Sequence, residues 1–222
     1  GPSLPRLLGL SEKPRGENNK LIPLSAFGLQ AMSIGFLVDE DAPTIWRGPM
    51  VMSAVQQMLR DVAWGDLDIL VIDMPPGTGD AQLTLSQRAD LAGAVIVSTP
   101  QDLALIDARK GLNMFRRVNV PVLGIVENMS YFVCPSCGDI SDIFGTGGAK
   151  AEAERLGLPF LGGIPLDMEI RATSDAGTPI VAENFSSPHA QAYVKIAETL
   201  TAQFEKETRT GPAIIMDLSL IH

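Results

Sequence analysis

The sequence predicts an α/β fold: a mostly parallel sheet with helices packed on both of its faces. Three observations carry this expectation. From Asp66 onward, short apolar runs alternate with longer amphipathic stretches. The runs hold apolar residues at consecutive positions, which buries both faces of each strand, as in sheets covered on both sides. Polar or glycine-rich segments follow the runs, and such sheets bind ligands beyond the carboxyl ends of their strands.

The elements follow in order. Residues 1–25 are proline-rich and give no firm element. Residues 29–34 read as a strand and 49–62 as a helix, with Trp46-Arg47-Gly48-Pro49 between them. The run Leu67-Asp68-Ile69-Leu70-Val71-Ile72-Asp73 reads as a buried strand, and 81–89 as a helix. A strand at 94–98 leads to a helix at 102–118, whose Leu103, Ile106, Leu112 and Phe115 fall at helical spacing. A strand at 122–126, a helix at 149–156, a short strand at 160–164 and a long helix at 188–207 complete the alternation. The organisation expected is one domain over residues 1–207, with a cysteine-bearing insert near 130–140, and a tail over 208–222. In that tail Ile214, Ile215, Met216 and Leu218 suit an edge strand or a docking segment.

Composition bounds the function. With 222 residues, 45% hydrophobic and 19% charged, the chain can bury one sizeable core. A formal charge of -9, with 17 basic against 26 acidic side chains, argues against a nucleic-acid footprint, which needs clustered Lys and Arg. Apolar runs such as 91–97 fall short of the ~20 residues a spanning helix requires, and no charged-then-apolar leader opens the chain. The expectation is a cytoplasmic protein with no membrane partner. Two cysteines make no disulfide framework, which points to a reducing compartment.

Those two cysteines sit at metal-ligand spacing in Cys134-Pro135-Ser136-Cys137. A tetrahedral zinc or iron-sulfur centre takes four ligands. The pair is therefore half of a site shared with a second copy, part of a site completed by other residue types, or a redox dithiol. Idle thiols are the fourth reading. Pro135 and Gly138 favour a tight turn that aims both sulfurs the same way.

Asp73 ends its apolar run and is followed by Met74-Pro75-Pro76-Gly77-Thr78-Gly79-Asp80. A carboxylate at the carboxyl end of a hydrophobic strand is the Walker-B arrangement, which holds Mg2+ beside nucleotide phosphates. Glycines behind it allow a loop whose amides face a phosphate. The plainer reading is a strand-ending aspartate before a stiff turn. No G-x-x-x-x-G-K-[ST] motif occurs in the chain. Gly145-Thr146-Gly147-Gly148-Ala149-Lys150 lacks its ending and reads as a loop opening a helix, with anion binding at that helix start as the alternative.

Taken together, these strings resemble the Mrp/ApbC type of iron-sulfur cluster carrier ATPases, within the MinD/ParA group of P-loop NTPases. The resemblance runs from Gly1 to about Phe204. It rests on Gly1-Pro2-Ser3, Trp46-Arg47-Gly48-Pro49-Met50, Ile72-Asp73-Met74-Pro75-Pro76-Gly77-Thr78-Gly79-Asp80, Glu127-Asn128-Met129-Ser130, Cys134-Pro135-Ser136-Cys137-Gly138 and Ile164-Pro165-Leu166-Asp167, in that order. It implies a homodimer that holds a [4Fe-4S] cluster through Cys134 and Cys137 of each copy and passes it to apo iron-sulfur proteins. Zinc would occupy the same thiols in a recombinant preparation. Asp73 would be the Mg2+-linked switch carboxylate, Gly77 would lie near the γ-phosphate of ATP, and Asn128 would bond the adenine edge. The loop from Pro165 to Asp167 would close over the base.

The chain also departs from that pattern. Such proteins begin with a strand, a lysine-rich P-loop and a helix, then a second strand whose end carries a switch aspartate just before Gly-Pro-Ser. This sequence starts after all of that, so the expectation is an N-terminally truncated ATPase that hydrolyses ATP poorly by itself.

Each assignment has a plainer alternative. Asn128 either binds a base or caps a turn. Asp80 orients the switch or caps the helix after it. Trp46 and Arg47 suit a dimer surface or, for the Trp, a core. Tyr131 and Phe132 read as packing residues, the methionines as core filler, and His189 as a surface residue without ligand partners. The competing function is a MinD/ParA-like positioning ATPase with a structural zinc pair. A membrane-targeting version would need a basic amphipathic C-terminal helix, and 208–222 offers only Arg209.

Overall fold

In the computed structural model of the chain, residues 2–38, 48–74, 83, 85, 86, 89–145 and 147–209 are described. The centre is a three-stranded parallel sheet of β5 (Ala94–Ser98), β6 (Val122–Glu127) and β9 (Phe160–Gly163), in the order β5-β6-β9. Parallel neighbours require crossovers, and helices supply them. α3 (Asp102–Arg117) joins β5 to β6, and α4 (Gly148–Leu156) precedes β9. Beyond β9 come α5 (Met168–Ala176), α6 (Ile180–Glu183) and the long α7 (Pro188–Arg209).

The consecutive apolar residues of β6 explain the layering. Successive side chains on a strand point to opposite faces. Ile125 joins a core with Ala94, Ile96, Leu105, Phe115, Ala149 and Ala153, contributed by β5, α3 and α4. Val126 joins Leu161, Ile164, Ile170, Ile196 and Leu200, contributed by β9, α5 and α7. Helices thus cover both faces, as the sequence predicts. Gly124 lets β6 and β9 approach: it has φ +155°, and a Cβ there would lie 2.7 Å from the Pro159 carbonyl oxygen and 2.6 Å from Leu161 Cγ.

Several expected elements hold with small shifts of boundary. The helix at 49–62 is α2 (Gly48–Arg60), the strand at 122–126 extends to Glu127, and the helix at 188–207 extends to Arg209. Within 81–89, Leu83, Leu85 and Ser86 are helical, Leu85 is buried, and Ala89 N–H donates to the Leu85 carbonyl at 2.9 Å; residues 81, 82, 84, 87 and 88, like Trp46, Arg47 and the tail from residue 210, lie outside the described residues.

Two strands need correction. Residues 67–73 form no strand: among the described residues no ladder includes them, and Val71 is 86% exposed and Ile69 53% exposed. Apolar, β-branched composition favours a strand only where a neighbour takes up its backbone N–H and C=O groups. The strand predicted at 29–34 stops at Ala31, as β4 (Leu29–Ala31) of an antiparallel hairpin with β3 (Leu24–Ala26). Phe27 and Gly28, at φ 51° and 78°, make its turn. Ser33 then starts a 3-10 turn over Ile34–Phe36 by accepting the Gly35 N–H at 3.0 Å.

The proline-rich start also folds. A short helix, α1 (Leu4–Leu7), precedes a hairpin of β1 (Gly16–Glu17) and β2 (Lys20–Leu21), turned by Asn18 and Asn19 at φ 51° and 61°. Asparagine tolerates that left-handed backbone. Met32, Phe36 and Val62 form a satellite core with Leu21, Met58 and Trp64, whose indole N–H donates to the Met58 carbonyl at 3.0 Å.

Candidate functional site

The carboxyl ends of the three parallel strands lie together and are laced by backbone hydrogen bonds. Asn128 N–H donates to the Ser98 carbonyl at 2.7 Å, joining the ends of β6 and β5. Ile164 N–H donates to the Glu127 carbonyl at 2.8 Å and Ser130 N–H to the Ile164 carbonyl at 2.9 Å, joining β6 to the segment after β9. Asn128, Pro165 and Asp167 are therefore brought to one end of the sheet. Asp73 is exposed, and its neighbour Met74 packs against the β5, β6 and α3 core. Gly77 lies outside the described residues.

Asn128 and Asp167 each have a local task. Asn128 Oδ1 accepts the Met129 N–H at 3.0 Å and so caps a turn in which Met129 has φ 54°. Asp167 is the N-cap of α5, its Oδ1 accepting from Glu169 N–H at 2.7 Å and Ile170 N–H at 3.4 Å. Its Oδ2 lies 3.5 Å from His189 Nε2, at the start of α7. His189 is thus half-buried and partnered, where the sequence suggested a solitary surface residue. Gln101 Oε1, just beyond β5, is buried without a hydrogen-bond partner among the described residues.

The cysteines sit on a hairpin that leaves the same end of the sheet. β7 (Phe132–Val133) and β8 (Ile140–Ser141) pair antiparallel, and the turn between them carries Cys134 to Cys137. Cys134 N–H donates to the Asp139 carbonyl at 2.9 Å, Gly138 N–H donates to the Cys134 carbonyl at 2.8 Å, and Gly138 takes φ 76°. Both thiols are free, Cys134 half-buried and Cys137 exposed. The backbone N–H of Cys137, and after it that of Ser136, bond the Cys134 sulfur and hold its thiol below the ordinary value. Cys137 Sγ donates to Asp139 Oδ2 at 3.2 Å.

This geometry suits soft-metal chemistry. Two free thiols on one turn, one half-buried and one exposed, are of the ligand type that zinc and iron take, and a four-coordinate centre would need two more. At the hairpin stem the Tyr131 carbonyl accepts the Leu166 N–H at 2.7 Å, and the Phe132 backbone bridges to that of Leu166.

Comparison with known proteins decides the family. The NUBPL iron-transfer P-loop NTPase description, within ParA, matches residues 1–201. This chain belongs to that family. A Dictyostelium discoideum relative named "Iron-sulfur cluster transfer protein NUBPL" is 54% identical over 208 residues, covering 92% of this chain and 64% of the relative. The chain thus spans somewhat under two thirds of that relative's length. An Archaeoglobus fulgidus nucleotide-binding protein solved with ADP superposes with TM-score 0.70 at 40% identity, over 84% of this chain and 72% of that one. The Pyrococcus furiosus cell division ATPase MinD superposes with TM-score 0.51 at 26% identity, over 70% of this chain and 59% of that one. The fold is that of the P-loop NTPases of the MinD type.

One residue of this NUBPL-family chain escaped the sequence reading. Glu127 ends β6 and is 1% exposed, a carboxylate inside an otherwise apolar run. Its Oε1 accepts the Ser130 hydroxyl at 2.5 Å and its Oε2 accepts the Ala149 N–H at 2.7 Å. The helix start at residues 145–150, offered above as an anion site, thus gives its Ala149 amide to the protein's own carboxylate. The signal was available: a buried charge persists only where it is hydrogen-bonded, so a glutamate closing a buried strand implies partners.

Proposed function

We propose that this chain acts in an iron-sulfur cluster carrier, in which two copies clamp a [4Fe-4S] cargo between their Cys134-Cys137 turns and deliver it to apo iron-sulfur proteins. The observation that carries this reading is the placement of two free thiols on one exposed hairpin turn, with Cys134 held toward thiolate by backbone N–H groups. Thiolates are the ligand form for iron and zinc. A cluster with four thiolate ligands then requires two copies, which makes the homodimer part of the same proposal. The iron-sulfur transfer function in the name of the Dictyostelium relative supports it.

The nucleotide side of the proposal uses the segments that follow β6 and β9, together with Asp73 and Gly77. Asp73 would hold Mg2+ through its carboxylate, Gly77 would face the γ-phosphate, and Asn128 with the loop from Pro165 to Asp167 would hold the adenine. ATP, when bound with Mg2+, supplies the two-state signal that governs cargo release. Asn128 and Asp167 would bind by exchanging or adding to the local bonds they now make. We assign the protein to a reducing compartment such as the cytoplasm, where both thiols stay available.

Anaerobic reconstitution with iron and sulfide tests the reading. A brown protein with about two irons per chain and the mass of a dimer is the expected result. A colourless protein that keeps about one zinc per pair of chains would replace it with the structural-zinc reading of a MinD-like positioning ATPase.

A further inference from the structure

The two oxygens of Glu127 hold the two ends of one excursion. Chain leaves the sheet at Ser130, forms the cysteine hairpin, and returns at Ala149 in the first turn of α4. Glu127 Oε1 accepts from Ser130 Oγ at the exit, and Oε2 accepts from Ala149 N–H at the return. Nothing in the site described above uses this carboxylate. Burying a charge is costly unless its geometry and bonding are complete, and here each oxygen faces one end of the segment that carries Cys134 and Cys137.

We propose that Glu127 is a positioning residue for the cysteine hairpin, clamping the two ends of the segment that carries it so that the Cys134 and Cys137 sulfurs hold a fixed aim. This rests on the cluster-carrier reading and names how that site is held. A cluster shared across two chains needs four sulfurs to converge, so play at either end of the segment loosens the site in both copies. The clamp also touches the nucleotide end. Glu127 directly precedes Asn128, its carbonyl accepts the Ile164 N–H, and Ser130 N–H returns to Ile164, so the strand end and the hairpin stem form one hydrogen-bonded unit. Ser130 is packed as well as bonded, since a Cβ at Gly163 would lie 2.7 Å from its Oγ.

The test compares the native chain with Glu127→Ala, Glu127→Gln and Ser130→Ala. Glutamine keeps both bonds, its amide donating to Ser130 Oγ and its carbonyl accepting from Ala149, so it should behave as native. In the metal-free chain, Glu127→Ala and Ser130→Ala should raise hydrogen exchange across residues 132–141 by roughly tenfold, the loss expected for one bond to a charged group. Ser130→Ala removes a single hydroxyl and remains informative should Glu127→Ala fail to fold. In the iron-loaded protein the same two variants should release iron to a chelator faster by a similar factor and change the visible circular dichroism of the cluster, with Glu127→Gln restoring both. Native exchange at 132–141 in Ser130→Ala overturns the clamp whether or not iron binds. A native chain that takes up no iron overturns the carrier reading instead, while the exchange experiment still decides the clamp.

Discussion

Leu166 donates its backbone N–H to the Tyr131 carbonyl at 2.7 Å, and through this bond the loop after β9 is tied to the stem of the cysteine hairpin. The parallel bridge between Phe132 and Leu166 lies beside it. Replacing Leu166 by proline removes the donor and leaves the carbonyl unpaired, which should cost about 1 kcal/mol or more. Leu166→Ala keeps the amide and serves as its control. Thermal unfolding together with hydrogen exchange at Tyr131 to Val133 checks this, and equal exchange in the two variants would show that the tie is idle.

Loss of either cysteine should abolish cluster loading, because two chains that contribute one thiolate each cannot complete four-fold coordination. Cys134→Ser and Cys137→Ser should each drop from about two irons per chain to near zero and lose the dimer mass that accompanies the cluster. Both side chains lie at the surface of a turn, so neither substitution should lower the melting temperature noticeably. Iron content and molar mass under anaerobic conditions read the outcome.

What the sequence made legible, and what it hid, follows from the range of the interactions involved. The β6 run was readable because its consecutive apolar residues find cover on both faces, Ile125 and Val126 entering opposite cores. The cysteine turn was readable from Pro135 and Gly138, the latter at φ 76°. Residues 67–73 misled because a strand depends on a partner, which composition does not reveal. The helix α5 was overlooked although its signals are local: Asp167 caps its start, and Gly177 at φ 74° ends it. Glu127 was hidden for the opposite reason. Its Ala149 partner lies on another element and meets it only in the folded chain.

Acid should weaken the packing of α4 on α3 through one carboxylate. Glu152, 5% exposed on its side chain, accepts paired bonds from Arg155 and from Arg109, with closest approaches of 2.6 Å to each. The hydrogen bond from Arg155, followed by that from Arg109, pulls its carboxyl from the ordinary 4.5 down to about 2. The folded value lies below the unfolded one, so the stabilisation is fully present above 4.5 and is lost as pH falls through the window toward about 2. Allowing for the solvent around two half-exposed arginines, it is worth on the order of 2 kcal/mol at neutral pH. Glu152→Gln should be less stable by that amount at neutral pH, with the gap to the native chain closing through the window. Urea unfolding across the pH range measures it.

Gly124 should not tolerate a side chain. Its φ of +155° disfavours any L residue, and the obstructing Pro159 oxygen belongs to backbone and cannot rotate away. Gly124→Ala should destabilise by about 2 kcal/mol or more, through strain and overpacking between β6 and β9. Gly138→Ala is the comparison: its φ is 76° but nothing lies within 4 Å of the added carbon, so only the backbone strain remains. Melting curves of the two variants should separate, with Gly124→Ala lower.

ATP turnover gives the last test, and it turns on what phosphoryl transfer requires. The transition state is stabilised almost entirely by positioned charge: amides around the β- and γ-phosphates, a lysine, and Mg2+ held by a hydroxyl and a carboxylate. These 222 residues contain Asp73 and Gly77 but no G-x-x-x-x-G-K-[ST] segment to supply the rest. A polypeptide of these 222 residues alone should therefore turn ATP over far more slowly than one that also carries such a segment, by on the order of 100-fold or more, since single preorganised donors are each worth about that much. Asp73→Asn should abolish the activity of the longer version while leaving the slow background of this chain unchanged. Equal turnover by the two versions would mean that the residues present here assemble a phosphate site of their own.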